Sequence, residues 1–162
     1  LMIFKNLSKI FNLNSLVVSL IFFLDRFSKE YVIYLTENNY EPLFSSSFLN
    51  INLIWNDGIA FGFFSFNEKY FYTILTIVIF LVILVILTML VKSRGIKKYS
   101  LLMILGGALG NFYDRVVFFA VPDFIDFHIK TFHWFIFNVA DIFITLGVII
   151  IIMTEFIDIK KN

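Results

Sequence analysis

The feature that most constrains this chain is a set of long apolar runs, and the run from Tyr70 to Val91 contains no charged residue. A helix of that length crosses a hydrocarbon core of about 30 Å. Hydrophobic residues make up 60% of the chain, well above the roughly 45–50% of soluble domains. We therefore predict a single integral-membrane domain over residues 1–162. Its four transmembrane helices are predicted at about 13–35, 70–91, 99–119 and 135–157.

Basic residues mark one side of these predicted spans. With four spans, the basic positions before the first helix, between the second and third, and after the fourth share that side. They are Lys5, Lys9, Lys92, Arg94, Lys97, Lys98, Lys160 and Lys161. The positive-inside rule places this side, and with it both termini, in the cytoplasm. Segments of about 36–69 and 120–134 then lie outside the cell, and the net charge of +1 gives no reason to expect a nucleic-acid partner.

The outer segments carry strand patterns rather than simple linker sequence. Apolar residues alternate with Asn50 and Asn52 from Leu49 to Trp55, and the turn signal Asn56-Asp57-Gly58 follows. Residues 59–64 fit either a returning strand or a segment lying in the membrane interface. A second hairpin is expected over 124–134. The predicted fold class is therefore an all-α membrane protein with a small β element.

Ionisable residues inside membrane helices cost at least about 2.5–3.5 kcal/mol each, so they need a partner, water or a function. In the first helix, Asp25 and Lys29 are four residues apart, as are Arg26 and Glu30. Such spacing allows two ion pairs on adjacent faces. Self-neutralisation at the interface explains these pairs without invoking any chemistry.

The third predicted helix combines small residues with a polar end. Gly106 and Gly110 allow another helix to approach closely, and packing alone explains them in most helices. Asn111, Asp114 and Arg115 follow near the outer boundary. An amide and an ion pair at that depth suit the support of irregular backbone or of a neighbouring functional group.

The most suggestive pair of acids is Asp123, predicted in the outer loop after the third helix, and Asp141, predicted one to two turns into the fourth. Two neighbouring carboxylates share a proton, so one activates water while the other polarises a carbonyl group. A proton or cation pathway also uses acids in membrane helices, and spacing alone does not separate the two. No serine accompanies His128 and His133 in a nucleophile motif, and strand-edge or interfacial positions explain both histidines. The absence of cysteine excludes thiolate chemistry.

Five motifs decide between these possibilities, because together they resemble bacterial lipoprotein signal peptidase, also called signal peptidase II. The first four begin at Asp25 (DRFSK), Asn56 (NDGIAFG), Gly107 (GALGNFYDR) and Val121 (VPDFIDF), and the fifth at Phe137 (FNVAD). They occur in the family's order and cover most of the chain.

The resemblance implies four transmembrane helices, an extracytoplasmic β-cradle and a lid-like segment over the active site. It implies an aspartic endopeptidase that removes signal peptides from diacylglyceryl-modified prolipoproteins, cutting on the amino side of the lipid-modified cysteine. The catalytic pair maps onto Asp123 and Asp141. Positions that bind substrate or support the site are Asp25, Lys29, Asn56, Gly58, Gly107, Asn111, Asp114, Arg115, Asn138 and Ala140.

The same resemblance sets the expected surroundings of the enzyme. It implies the bacterial inner membrane, contact with membrane lipids, sensitivity to cyclic peptides of the globomycin type, a monomer, and no metal or cofactor. Pro122 and Ile142 depart from the family's pattern, which leaves loop geometry and substrate preference open. The competing hypotheses are a small transporter with a polar path through Asp25, Lys29, Asp114 and Asp141, and a noncatalytic membrane scaffold.

Overall fold

The computed structural model describes residues 2–38, 43–58 and 68–159, which form four helices and one small sheet. The elements are α1 (Met2–Glu37), β1 (Phe44–Ser45), β2 (Leu49–Asn56), α2 (Glu68–Lys92), α3 (Gly95–Val117), β3 (Val121–Ile129), β4 (Phe132–Phe137) and α4 (Val139–Ile159). This mostly helical fold with a small sheet agrees with the predicted class. By length and composition, α2 and α4 each contain a stretch able to cross a membrane, at Tyr72–Lys92 and Val139–Ile157.

Helix α3 lies at the centre of the helical part and packs against α1, α2 and α4. Its glycines permit this position. A Cβ atom on Gly107 would lie 2.5 Å from the Ala140 carbonyl oxygen of α4, and one on Gly106 would lie 2.8 Å from Ile21 Cβ of α1. The packing role predicted for small residues is therefore confirmed at Gly106, while Gly107 sets the distance between α3 and α4.

Helices α1 and α3 bury charged side chains in the protein interior, while large apolar side chains of α1 lie on the surface. Asp25, Lys29 and Asp114 are 0% exposed, whereas Phe23 and Phe27 of α1 are 66% and 74% exposed. A protein folded in water has the reverse pattern. The distribution suits a surface solvated by lipid.

The sheet is antiparallel throughout and has the order β1-β2-β3-β4. The strand predicted from Leu49 to Trp55 is confirmed as β2, and the hairpin predicted over 124–134 is confirmed as β3 and β4 with longer strands. The proposed returning strand at 59–64 lies outside the described residues. Both strand pairs β2–β3 and β3–β4 contain a register shift, so each pair includes an irregular step.

Two predicted placements were wrong, and both concern the acids. Asp123 lies within β3 and not in a loop, because β3 begins at Val121 and Asp123 pairs with Ile54 of β2. The fourth helix begins at Val139 rather than near 135, since β4 continues to Phe137. Asp141 is consequently in the first turn of α4 and not one to two turns along it.

Candidate active site

The start of α4 fixes the position of Asp141 through a reciprocal pair of hydrogen bonds. The backbone N–H of Asn138 donates to Asp141 Oδ2 (3.1 Å), and the backbone N–H of Asp141 donates to Asn138 Oδ1 (3.2 Å). This is the geometry of a capping box, here with Asn and Asp in the two positions.

Asn138 also holds Asp123, so one side chain joins the two acids. Its Nδ2 donates to Asp123 Oδ1 at 2.6 Å, while its Oδ1 accepts from the backbone N–H of Asp141. Asn138 is fully buried, which removes water as a competing partner. The structure therefore brings together the two carboxylates that the sequence paired.

The second oxygen of Asp123 is bound from the neighbouring strand. Asn56 Nδ2 donates to Asp123 Oδ2 at 2.8 Å, and the Asn56 carbonyl oxygen Oδ1 accepts the Gly58 backbone N–H, also at 2.8 Å. Gly58 has φ +78°, a conformation that favours glycine, so the turn itself orients the Asn56 amide. This explains why both residues belong to the predicted site.

Burial and hydrogen bonding act on the pKa of Asp123 in opposite directions. Desolvation raises the pKa of the Asp123 carboxyl, and the nearby Asp141 raises it further. The hydrogen bonds from Asn56 and Asn138 lower it by stabilising the charged form, but they do not offset the burial. Asp123 therefore keeps its proton to higher pH than an ordinary aspartate.

A cavity of about 500 Å³ opens beside the two acids. Asp123 and Asp141 lie in its wall together with Asn56, while strand β4 and the first turns of α4 supply the apolar part. A site with converging polar groups and a largely apolar wall suits a ligand that has both a peptide group and apolar side chains. The apolar lining consists of Trp134, Phe135, Ile136, Phe137, Ile142 and Leu146.

A buried charge network supports the acids from the side of α1 and α3. Lys29 Nζ donates to Asp25 Oδ2 (2.8 Å), Asn111 Oδ1 (2.8 Å) and Asp114 Oδ2 (2.7 Å). With its oxygen fixed in this way, Asn111 turns its Nδ2 toward Asp141 Oδ1 at 2.7 Å. Lys29 thus orients a donor to Asp141 without contacting that residue itself.

The remaining predicted residues complete this network. Asp25 Oδ1 accepts the backbone N–H of Ala140 at 2.9 Å, which ties α1 to the first turn of α4. Gly110 makes room for the Asp25 carboxylate, because a Cβ atom there would clash with Asp25 Oδ2. Arg115 Nη1 donates to the Asn111 backbone oxygen at 2.9 Å.

Asp114 pairs with two cations of α1, Lys29 and Arg26, and sequence reasoning missed the pair with Arg26. Arg26 Nη1 lies 2.5 Å from Asp114 Oδ1, so Arg26 pairs with α3 rather than with Glu30 on its own helix. Its guanidinium also sits 4.9 Å from the ring centroid of Tyr113. The sequence of α1 alone does not predict these contacts, since both partners of Arg26, Asp114 and Tyr113, belong to α3.

Thr145 is a second site residue that sequence reasoning missed. It lies in the cavity wall with Asp141. The sequence could have predicted this position, because Thr145 follows Asp141 by four residues and residues four apart on a helix share a face. A hydroxyl group is therefore available on α4, although the position after Asp141 holds Ile142.

Comparison with solved structures places this fold among bacterial membrane enzymes. One such enzyme, determined at 2.3 Å by the in meso method, matches with a TM-score of 0.72 and 29% sequence identity, covering 93% of this chain and 92% of its own. Another, determined at 1.9 Å, matches with a TM-score of 0.70 and 30% identity over 89% of this chain. The fold defined above is thus that of a bacterial membrane enzyme.

Sequence comparison identifies the family. The family model for signal peptidase (SPase) II matches residues 17–157. A lipoprotein signal peptidase from Pelagibacter ubique is 48% identical over 95% of this chain and 94% of the relative, and one from Francisella tularensis subsp. novicida is 40% identical over 72% and 75%. The chain belongs to the signal peptidase II family, and its relatives are proteases. The resemblance drawn from the five motifs is confirmed.

Proposed function

We propose that this protein is an aspartic endopeptidase of the bacterial inner membrane, with Asp123 and Asp141 as its catalytic residues. The observation that carries the proposal is Asn138, whose side-chain amide donates to the Asp123 carboxylate and whose backbone N–H donates to the Asp141 carboxylate, at the wall of one cavity. Shared hydrogen bonding of two carboxylates suits a pair that holds one proton. A lone structural aspartate needs no such bridge.

The two acids have different surroundings, and these support different roles. The raised pKa of Asp123 favours its neutral form. The Asp141 carboxylate accepts hydrogen bonds from the Asn111 amide and from the Asn138 backbone N–H, which suits an acceptor of protons. We assign the resting proton to Asp123. Because the acids are coupled, the pair as a whole sets the observed titration.

The reaction follows from this assignment. Asp141 accepts a proton from water, and the resulting hydroxide forms a bond to the scissile carbonyl carbon while Asp123 donates to the carbonyl oxygen. The carbon–nitrogen bond then breaks, and the leaving amine takes up the proton held by Asp141. Asp123 regains its own proton as the carbonyl re-forms, so the pair returns to its starting state.

All four helices cross the membrane in this proposal, including α1 and α3, whose charged residues weaken their apolar signal. The burial of Asp25, Lys29 and Asp114 supports this, because these three charged groups are enclosed by protein and do not meet lipid. The basic turn between α2 and α3 lies at the end of the helices opposite the sheet. The positive-inside rule then places both termini in the cytoplasm and the acids on the outer face.

The substrate is proposed to be a diacylglyceryl-modified prolipoprotein, cut on the amino side of its lipid-modified cysteine. The relatives are lipoprotein signal peptidases, which supports this choice. The apolar wall beside the acids suits a signal peptide that arrives from the lipid phase. Membrane lipids are therefore expected partners, and a monomer contains the whole site.

The test is cleavage of a lipidated reporter peptide by purified protein. Asp123→Asn and Asp141→Asn each remove an essential acid and are expected to leave the reporter uncut, and a globomycin-type cyclic peptide is expected to block the unaltered protein. Glu37→Gln is the matched control, since it makes the same chemical change at an exposed position at the end of α1. Substantial cleavage by either aspartate variant contradicts the proposal, as does cation flux into liposomes without any peptide cleavage.

A further inference from the structure

The β3–β4 hairpin carries a group of polar side chains that the proposed reaction does not use. Asp126, His128 and His133 each offer one ligand atom, and these atoms lie within 4.8 Å of one another. We call these three residues the hairpin cluster. It contains both histidines of the chain, which has no cysteine.

The strand geometry explains why these side chains meet. Asp126 and His128 are two residues apart on β3, so they point to the same face of the sheet. His128 pairs with His133 on β4, and the two rings stack with centroids 5.0 Å apart. His133 Nδ1 lies 2.9 Å and 3.0 Å from the two carboxylate oxygens of Asp126.

Side chains of the neighbouring strands β2 and β1 hold Asp126 in place. Asn50 Nδ2 donates to Asp126 Oδ2 at 3.4 Å, and Ser45 Oγ donates to Asn50 Oδ1 at 2.8 Å. One side chain from each of the four strands thus joins a single polar row that ends at His133. The carboxylate of Asp126 is fixed before any ligand arrives.

One atom of the cluster lacks a partner. His128 Nδ1 is buried, and it has no hydrogen-bond partner among the described residues. A buried polar atom without a partner is destabilising, so a ligand that binds this nitrogen stabilises the site. The His133 side chain is 51% exposed, which leaves the cluster open to ions from solvent.

We propose that the hairpin cluster binds a zinc ion through one nitrogen of each histidine and a carboxylate oxygen of Asp126. Zinc takes nitrogen and oxygen ligands at about 2.0–2.2 Å, and three protein ligands with one water complete its tetrahedral shell. From the sequence we expected no metal, and we assigned both histidines to strand-edge or interfacial positions. The bound ion would link β3, which carries Asp123, to β4, which leads into Asp141.

Isothermal titration of the full chain in detergent with zinc chloride tests this site. The protein is purified through an affinity tag without histidine, so the cluster supplies every imidazole in the sample. One zinc ion per chain is expected. His128→Gln and His133→Gln should each weaken binding by at least about tenfold, since each removes one ligand. Glu37→Gln, which removes an exposed carboxylate outside the cluster, should leave zinc binding unchanged.

The outcomes separate this site from the acids of the proposed active site. Zinc is also expected to raise the unfolding temperature of the unaltered protein but not that of His133→Gln, whose unfolding temperature without zinc shows whether the variant is folded. No zinc binding by the unaltered protein overturns the proposal. Binding that survives both histidine changes and disappears in Asp141→Asn also overturns it, because the ion then occupies the catalytic acids.

Discussion

Replacing Lys29 with methionine probes the buried charge network most directly. In the native protein, Asp25 and Asp114 are balanced by Lys29 and Arg26, and all contacts of Lys29 Nζ are buried. Methionine keeps most of the side-chain volume but leaves Asp25 without its cation. Removing one partner of a buried ion pair costs about 3–5 kcal/mol. For a protein of this size we expect the unfolding temperature to fall by on the order of 10 °C.

Thermal unfolding in detergent measures this effect, and two further variants control for it. Lys97→Met makes the same change in the Lys97–Glu155 pair, whose side chains are 35% and 57% exposed. An exposed pair contributes only about 0–1 kcal/mol, so this control should shift the unfolding temperature by a few degrees at most. Adding Asp25→Asn to Lys29→Met restores the charge balance and should recover part of the loss. Equal shifts for Lys29→Met and Lys97→Met would refute the reasoning.

Two other predictions concern the pH profile and the packing of the helices. Asn56→Ala removes a hydrogen bond that lowers the pKa of Asp123, so that pKa should rise and the alkaline limb of the cleavage profile should move to higher pH. A shift to lower pH would contradict the assignment of the proton to Asp123. Gly107→Ala places a methyl group 2.5 Å from the Ala140 oxygen, so it should destabilise the protein by about 1–3 kcal/mol and lower cleavage by displacing Asp141. Unchanged unfolding temperature and activity would show that α3 and α4 separate without cost.

Much of the fold was readable from the sequence because lipid imposes simple rules. The long apolar runs gave the helices, and the alternation from Leu49 to Trp55 gave β2. The motif match placed Asn138 and Asp141 in one site, and in the structure the side chain of each accepts a hydrogen bond from the backbone N–H of the other. Local patterns were sufficient wherever local hydrogen bonds determine the structure.

The errors arose where distant parts of the chain meet. Arg26 and Glu30 have the correct spacing for a pair on one helix, but Asp114 on α3 offers Arg26 a buried partner with less competition from solvent. The start of α4 was placed too early because Phe135 and Phe137 suit a strand as well as a membrane helix. Both choices depend on tertiary contacts, which spacing along one helix does not encode.

The distribution of buried charges also bears on how the chain is inserted during synthesis. Asp25 and Lys29 neutralise each other within α1, so in the proposed four-span topology this helix enters the bilayer with its own counter-ion. Asp114 has no such partner on α3 among the described contacts, since both of its cations come from α1. In the same proposed topology, α3 is stable in lipid only beside α1. Because α1 precedes α3 along the chain, the cations that pair with Asp114 are synthesised before Asp114 itself.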